Sequence, residues 1–452
     1  MIIIYLTFLL LILYYYGKRN HSLVLFFMMA IITGGFGVLD AETGLQKTDL
    51  LLIPTVLISI NEYSRNKQFF QVKKDALGKC IILILLFLTL EFLFSVLLGI
   101  ETPIWAFKVV RVQFLLLLYF YFRGLNSDIW QRFFKLVLFF SIAQGILFYL
   151  QVVGITGILA NSVDSNAEDV RYANYPMLTS FFIVYYLLKK DISIWIRLTM
   201  LLFWGIMIVL SQSRGPILGV MGAFAMYCVV LRSKKSIGYM LVGIVLYVFI
   251  VNPLIKTRDM SERASTKDDI AMIISSNAEE LSGVKTGQVG TIAFRIGMLA
   301  ERWIYLKDNP EYLLFGVGCI HEQSPANRFH FFLGTHNEKF FYERCMIESG
   351  DIAWVPLLLR YGIVGVFIFS LLLFYWIIIC FRQYPLLNNY LSRAASLMSA
   401  SVTLTSFNTT LYDSVNTIFL LCVYLGIFMS EVSSRNKTIR RSQLDVSKAS
   451  MS

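Results

Sequence analysis

Apolar runs separated by short polar connectors recur along almost the whole chain. They fall at about residues 1–16, 21–39, 49–60, 80–99, 104–122, 133–153, 176–188, 192–210, 216–231, 237–255, 352–380, 394–411 and 417–430. A helix that crosses a hydrocarbon layer needs roughly 20 apolar residues. The pattern therefore predicts an all-α, polytopic integral membrane protein of about 12–13 transmembrane helices. One interval breaks the rhythm: residues 256–350 lie between two apolar runs and form one large helical loop. Boundaries follow at 1–255 for an N-terminal bundle, 256–350 for the loop domain, 351–431 for the C-terminal helices and 432–452 for a Ser/Lys/Arg-rich tail expected to be disordered.

Composition sharpens this picture. Hydrophobic residues make up 57% of the 452 and charged residues only 15%, where a soluble domain carries about a quarter charged. With a mean hydropathy of +0.66, a water-soluble enzyme is excluded, and six cysteines exclude a disulfide scaffold. The net charge of +11 points to nucleic acid only if the basic residues share one surface. They do not. Lys18/Arg19, the stretch Arg65 to Lys79, Arg123/Arg132, Lys189/Lys190, Arg232/Lys234/Lys235, Arg382/Arg393 and the tail from Arg435 to Lys448 occupy alternate connectors, whereas the intervening short ones hold only Lys47, Arg171 and Arg214. The positive-inside rule then places the C-terminus in the cytoplasm and the large loop outside, with the bilayer as partner and no nucleic acid. The first segment lacks a basic lead and a cleavage pattern and reads as a retained span.

The loop has helical pattern of its own. Thr266 and Asp269 resemble a capping box ahead of Ile270, Ile273, Ile274 and Leu281. A second helix carries Ile292, Ile296, Leu299, Trp303 and Leu306 on one expected apolar face, with Arg295 and Arg302 seven positions apart along its edge and Glu301 and Lys307 as surface charge, before a stop at Asn309-Pro310. Three of the four histidines, His321, His330 and His336, lie in this loop, as do Cys319 and Cys345. Those cysteines are a possible outer pair, but no CxxC or HxxxH spacing supports a metal site, so neither metal nor cofactor is expected. Glu322, Glu338, Glu343, Glu348 and Asp351 supply candidate general bases.

Charges at membrane depth are costly and mark function. Arg111, with Lys108 one turn before it, Arg214 and Arg360 all sit at span ends assigned to the outer side. Snorkelling explains each singly. Together with Arg171, Arg295 and Arg302 they are expected to form an anion site, because the planar guanidinium binds two phosphate oxygens at once. Glu91, deep in the fourth segment, reads either as a protonated core carboxyl or as an ion-coupling group.

Across residues 195–380 the chain resembles the O-antigen polymerase and O-antigen ligase superfamily of bacterial surface-glycan assembly. Ser213-Arg214-Gly215 with Leu218 looks like its Arg-x-x-x-Leu element. Arg295 through Trp303, Asn309-Pro310 and Leu314-Phe315-Gly316-Val317-Gly318 are similar to its Arg…Trp…Asn-Pro…Leu-x-Gly-x-Gly stretch, and Gly362-Ile363-Val364-Gly365 matches its closing glycine element. The ligase His-Asn pair, expected nine residues before that element, is replaced by Asp351-Ile352; His336-Asn337 lies 15 residues too early. The polymerase is therefore favoured over the ligase.

The resemblance implies an enzyme that transfers a glycan from an undecaprenyl diphosphate carrier onto a second lipid-linked repeat unit of an O-antigen or capsule, with a chain-length regulator as a further partner. Arg214 and Arg295 are the expected diphosphate clamp, with Arg111, Arg302 and Arg360 as secondary donors; Asp351 is the first candidate base and His336 the second. Trp105 and Trp354 are candidates for sugar stacking or interfacial anchoring. The competing class is a lipid-linked sugar transporter or flippase, with Glu91 as coupling group; no repeat between halves is evident. A receptor is a third, weaker class.

Overall fold

A computed structural model describes residues 2–39, 46–72, 75–155, 159, 163–164, 171–172, 174–211, 214–231, 291–327, 329, 331, 352–405, 412 and 414–449. It is helical. The helices are α1 (Ile2–Gly17), α2 (His21–Ile32), the irregular turn α3 (Gly34–Gly37), α4 (Lys47–Arg65), α5 (Ala76–Leu97), α6 (Pro103–Val110), α7 (Leu118–Phe122), α8 (Ser127–Val152), α9 (Thr179–Leu188), α10 (Ile194–Leu210), α11 (Arg214–Leu231), α12 (Thr291–Asp308), α13 (Trp354–Gln383), α14 (Tyr390–Thr405) and α15 (Val415–Ala449). A two-residue antiparallel ladder joins β1 (Val163–Asp164) to β2 (Arg171–Tyr172).

Four helical stretches, Ala76–Leu97, Ser127–Val152, Trp354–Leu386 and Val415–Arg435, are long and apolar enough to cross a membrane. A fifth span arises if α6 and the stretch Gln113–Phe122, bent by 49°, count as one. Among the described residues five further apolar helices are shorter, at 10–17 residues, so the expected count of 12–13 spans is met only in part. The segment at 237–255 and the Thr266–Leu281 helix lie outside the described residues.

Side-chain placement is that of a protein solvated by hydrocarbon. On α5 the face Leu77, Ile81, Ile84, Leu88, Glu91 and Ser95 is buried, while Leu83, Leu86, Leu90, Leu93, Phe94 and Leu97 are exposed. Water would exclude such an apolar stripe; lipid does not. The polar side chains go inward. Ser392, Ser396, Ser399 and Ser401 are buried along α14, where small residues let backbones approach closely. Ser399 Oγ accepts from Trp376 Nε1 at 2.8 Å and Ser401 Oγ donates to Gly219 O at 2.5 Å.

The connectors sort to two ends of the bundle. At one end Tyr16 donates to Glu62, His21 meets Tyr121, and Arg123 pairs with Asp75 while donating to Phe69 O. Lys135, Lys189 and Asn389 line a common pocket, and Arg435 reaches Leu386 O. This end gathers the basic connectors. At the other end Lys47 donates to Ile32 O, and Arg111 binds Asp49 at 2.5 Å as well as Gln46.

Helix α15 continues to Ala449; no Gly or Pro follows Gly426 to interrupt it, and Glu431 and Arg435 stand in the favourable i, i+4 order. On α12, Ile296 and Trp303 are exposed whereas Met298, Glu301, Arg302 and Leu306 are buried. The expected apolar face is thus packed only in part: Leu306 is buried and Leu299 packs against the core, while Ile296 and Trp303 face outward. A charged pair can turn inward because its members neutralise each other, and an apolar stripe at an interface can face lipid.

The second half of the chain is organised around a broken helix. Gly362, at φ 59° and ψ −162°, interrupts α13, and a break at membrane depth frees backbone groups that lipid cannot satisfy. The segment after α12 supplies the partners. Val317 N donates to Leu359 O at 2.9 Å and Gly318 N to Arg360 O at 3.0 Å; beyond the break, Ile363 N and Val364 N donate to Leu313 O and Leu314 O at 3.1 and 3.0 Å. The backbones cross so closely that a Cβ on Gly316 would lie 2.3 Å from the Arg360 carbonyl carbon, and one on Gly362 2.5 Å from that of Leu314.

Gly316→Ala and Gly362→Ala are each expected to destabilise the purified protein by more than about 2 kcal/mol, through strain plus lost backbone bonds. Gly205→Ala, on a helix with nothing within 4 Å of the added atom, should leave the melting temperature unchanged or raised. Thermal unfolding in detergent distinguishes them.

Candidate functional site

The chain's chemistry-bearing residues gather at the end of the bundle opposite the basic connectors, in two places joined by α6. The first is the crossing just described. Arg302 is fully buried on α12, with Nη1 2.6 Å from Glu301 Oε2 and 3.4 Å from Met298 O, and its guanidinium lies 4.2 Å over the Phe331 ring. Glu301, expected as surface charge, is its buried partner: an isolated guanidinium could not be desolvated without one. Arg295, half-buried, stands two turns earlier on the same side of α12. Arg360 is buried on the short first half of α13, and its Nε donates to Ile320 O at 3.2 Å. Helix α12 packs against α13, and Phe331, beneath Arg302, shares an apolar cluster with Ile320, whose carbonyl Arg360 holds.

That junction rests on the ends of α5 and α6. Cys319 N donates to Ser95 Oγ at 2.8 Å, and Glu101 accepts from Thr102 N at 2.8 Å and from His321 N at 3.4 Å. Trp105 is sandwiched between the Lys108 ammonium, 3.6 Å from its ring centre, and the His321 ring at 4.8 Å. Trp354 is buried and packs on Tyr412 at 6.4 Å, a core role and not an open stacking platform. Cys319 is a free, buried thiol. Burial pushes it up to about 12; Glu91 adds to the rise, while the Ser95 hydrogen bond and Arg360 oppose it. Glu91 therefore faces this junction from the packed side of α5.

The second place is a cavity of about 480 Å³ among α2, α4, α8, α9, α11, α14 and α15, within the range of ligand pockets. Lys47, Thr33, Gln144, Asn174, Ser180, Ser401, Asn416 and Thr417 line it with Tyr175, Tyr424 and apolar residues; among the described residues no carboxylate does. Asn174 holds a left-handed backbone at φ 64°, a conformation its short amide tolerates. This turns its carbonyl to accept from Gln144 Nε2 at 2.8 Å. Pro216 and Gly219, in the first turns of α11, also line the cavity, so the helix that Arg214 begins opens onto it. Helix α6 links the two places: its first turn touches His321 through Trp105, and Arg111 just past its end holds Gln46 and Asp49 on either side of Lys47.

Of the expected site residues, Arg302 and Arg360 thus border one apolar cluster, Arg295 stands two turns from Arg302 on the same helix, and Arg111 ties α6 to α4 beside the cavity. The side chain of Arg214 lies outside the described residues, as do Asp351, His336, His330 and Cys345. Among the described residues no three His, Cys, Asp or Glu side chains gather. Sequence reasoning passed over Gln144 and Asn416; the available signal for Gln144 was a lone amide in the middle of an apolar run. No family model matches the chain, and no curated protein matches it.

Because Arg302 and Glu301 are buried as a pair, Arg302→Met should destabilise the protein by about 3–5 kcal/mol, and adding Glu301→Leu should recover much of the loss. A double-mutant cycle by thermal unfolding reads this directly. The raised Cys319 thiol stays protonated at pH 8, so a maleimide should modify it only after denaturation, which mass spectrometry of the labelled peptide checks.

Proposed function

We propose that the protein is a membrane-embedded glycan polymerase that joins undecaprenyl-diphosphate-linked oligosaccharide units of a surface polysaccharide, such as an O-antigen or capsule, at the outer face of a bacterial cytoplasmic membrane. The observation that carries this reading is the meeting of the arginine-bearing helix α12, the Leu-x-Gly-x-Gly segment and the Gly-x-x-Gly break of α13 in a single junction, next to an acid-free polar cavity. These are the elements on which the resemblance to the polymerase and ligase superfamily rests.

In this proposal the chemistry is displacement at the anomeric carbon. The acceptor hydroxyl forms the new C–O bond, the diphosphate leaves with the electron pair of the old one, and a base takes the hydroxyl proton. Fixed cations stabilise the charge that develops on the diphosphate, and positioning supplies much of the remainder. Arg214 and Arg295 form the clamp, Arg302 and Arg360 hold the surrounding backbone, and Asp351 or His336 serves as base. No metal is needed.

One observation favours the transporter class: α13 and the α6–α7 stretch are both broken, and broken helices build ion and substrate sites in transporters. In α13, however, the groups freed by the break are satisfied by the chain's own 313–318 segment, which argues for a structural break.

Arg214→Lys and Arg295→Lys, with expression verified, are expected each to lower polymer yield by about 100-fold, the scale of losing one fixed donor to a developing charge. Full-length polymer in both variants would remove the clamp. In a null strain, single-repeat surface glycan supports the polymerase; completed lipid-linked polymer denotes the ligase, and inner-leaflet accumulation a flippase.

A further inference from the structure

The cavity between α4 and α11 holds an unbalanced set of polar groups, and that imbalance specifies a ligand. Lys47 Nζ donates to Ile32 O at 2.9 Å, a neutral partner, and among the described residues that line the cavity none is Asp or Glu. The nearest acid along its helix, Asp49, is engaged by Arg111. A half-buried ammonium with only a carbonyl for company favours an anionic group beside it.

The cavity also holds acceptors that lack donors. Gln144 is 4% exposed, and its Nε2 is directed to Asn174 O, which fixes the amide so that Oε1 is the atom left over. That oxygen is buried and unsatisfied, as is Oδ1 of Asn416 on another wall of the cavity. A buried carbonyl oxygen without a donor is unfavourable by about 1–3 kcal/mol. A bare carboxylate cannot relieve it, because it brings no donor at neutral pH; inorganic phosphate keeps one or two P–OH donors and is therefore carried as a competitor in the test below. A ligand with an ammonium group is disfavoured by Lys47 and the absence of acids. What satisfies both demands is a molecule rich in hydroxyls that carries one acidic group.

We propose that this cavity is a subsite for a glycosyl unit bearing an acidic group, with Lys47 meeting the acid and Gln144 and Asn416 accepting from ring hydroxyls. The proposal rests on the polymerase reading for its place in the reaction: the subsite holds the sugar and leaves the diphosphate to the arginines. Helix α6, eight residues and so about 12 Å long, separates it from the junction at Arg302 and Arg360, a separation that fits a sugar displaced from its diphosphate by part of a repeat unit. Tyr175 and Tyr424 on the cavity wall present apolar ring surface to a sugar face.

The test uses the full chain in nanodiscs of neutral phospholipid, titrated with glucuronic acid, glucose 6-phosphate, glucose and inorganic phosphate, with binding read by saturation-transfer NMR. The expected result is saturable binding of at least one acidic sugar, at least tenfold tighter than glucose or phosphate; which one binds tells carboxylate from phosphate as the acid. Lys47→Met should remove that tenfold preference while leaving glucose unchanged, Lys47→Arg should retain it, and Gln144→Leu should weaken both sugars. Absence of saturable acidic-sugar binding, or an unaltered preference in a folded Lys47→Met, overturns the proposal. So does competition by added phosphatidylglycerol, which would mark a lipid headgroup site. The null-strain glycan phenotype is read separately: acidic-sugar binding in a protein whose loss leaves polymer intact would refute the polymerase and keep the subsite.

Discussion

Hydrocarbon accepts no hydrogen bonds, so every backbone group at membrane depth must find its partner within the chain. The break at Gly362 makes that constraint acute. Four backbone bonds from residues 313–318 close it, and their geometry demands glycine at both 316 and 362, each with positive φ and each with no room for a Cβ. Because this segment is fixed on one side to α13 and on the other to Ser95 and Glu101, it locates α12, and α12 carries Arg295 and Arg302. The positions of the arginines are thus consequences of a backbone requirement.

The same economy governs the buried charges. Arg302 is neutralised by Glu301, its neighbour on the same helix, while Arg111–Asp49 and Arg123–Asp75 each tie two separate elements. Lys47 differs. It lines a cavity without an acid, held in place by a helix whose two neighbouring positions, Gln46 and Asp49, are occupied by Arg111. Charges that close on protein partners stabilise architecture, whereas a charge left facing a cavity selects what enters it. In this protein the two kinds sit within one helix length of each other.

Much of the helical layout was legible in the apolar runs, since nearly every described helix coincides with one: α5 with 80–99, α8 with 133–153, α13 with 352–380. Three of the polar connectors meet in space, through His21 and Tyr121, Arg123 and Asp75, and Arg123 and Phe69. The face of α12 was misjudged in part. Hydrophobic periodicity assumes that water lies opposite the packed face; at a lipid boundary Ile296 and Trp303 can be exposed while a neutralised Arg302 is buried.

The sequence by itself determined an all-helical membrane protein, the order of its elements and the glycines and arginines that mark its second half, because hydropathy, charge and special backbone positions are properties of single residues and their spacing. Only the tertiary structure decided that the two glycine elements are one crossing, that Arg111 closes on Asp49, and that Lys47 and Gln144, 97 residues apart in the chain, face the same cavity. Those facts depend on which polar groups find partners across helices. No spacing along one chain encodes that choice; it emerges when burial forces each group to be satisfied or to await a ligand.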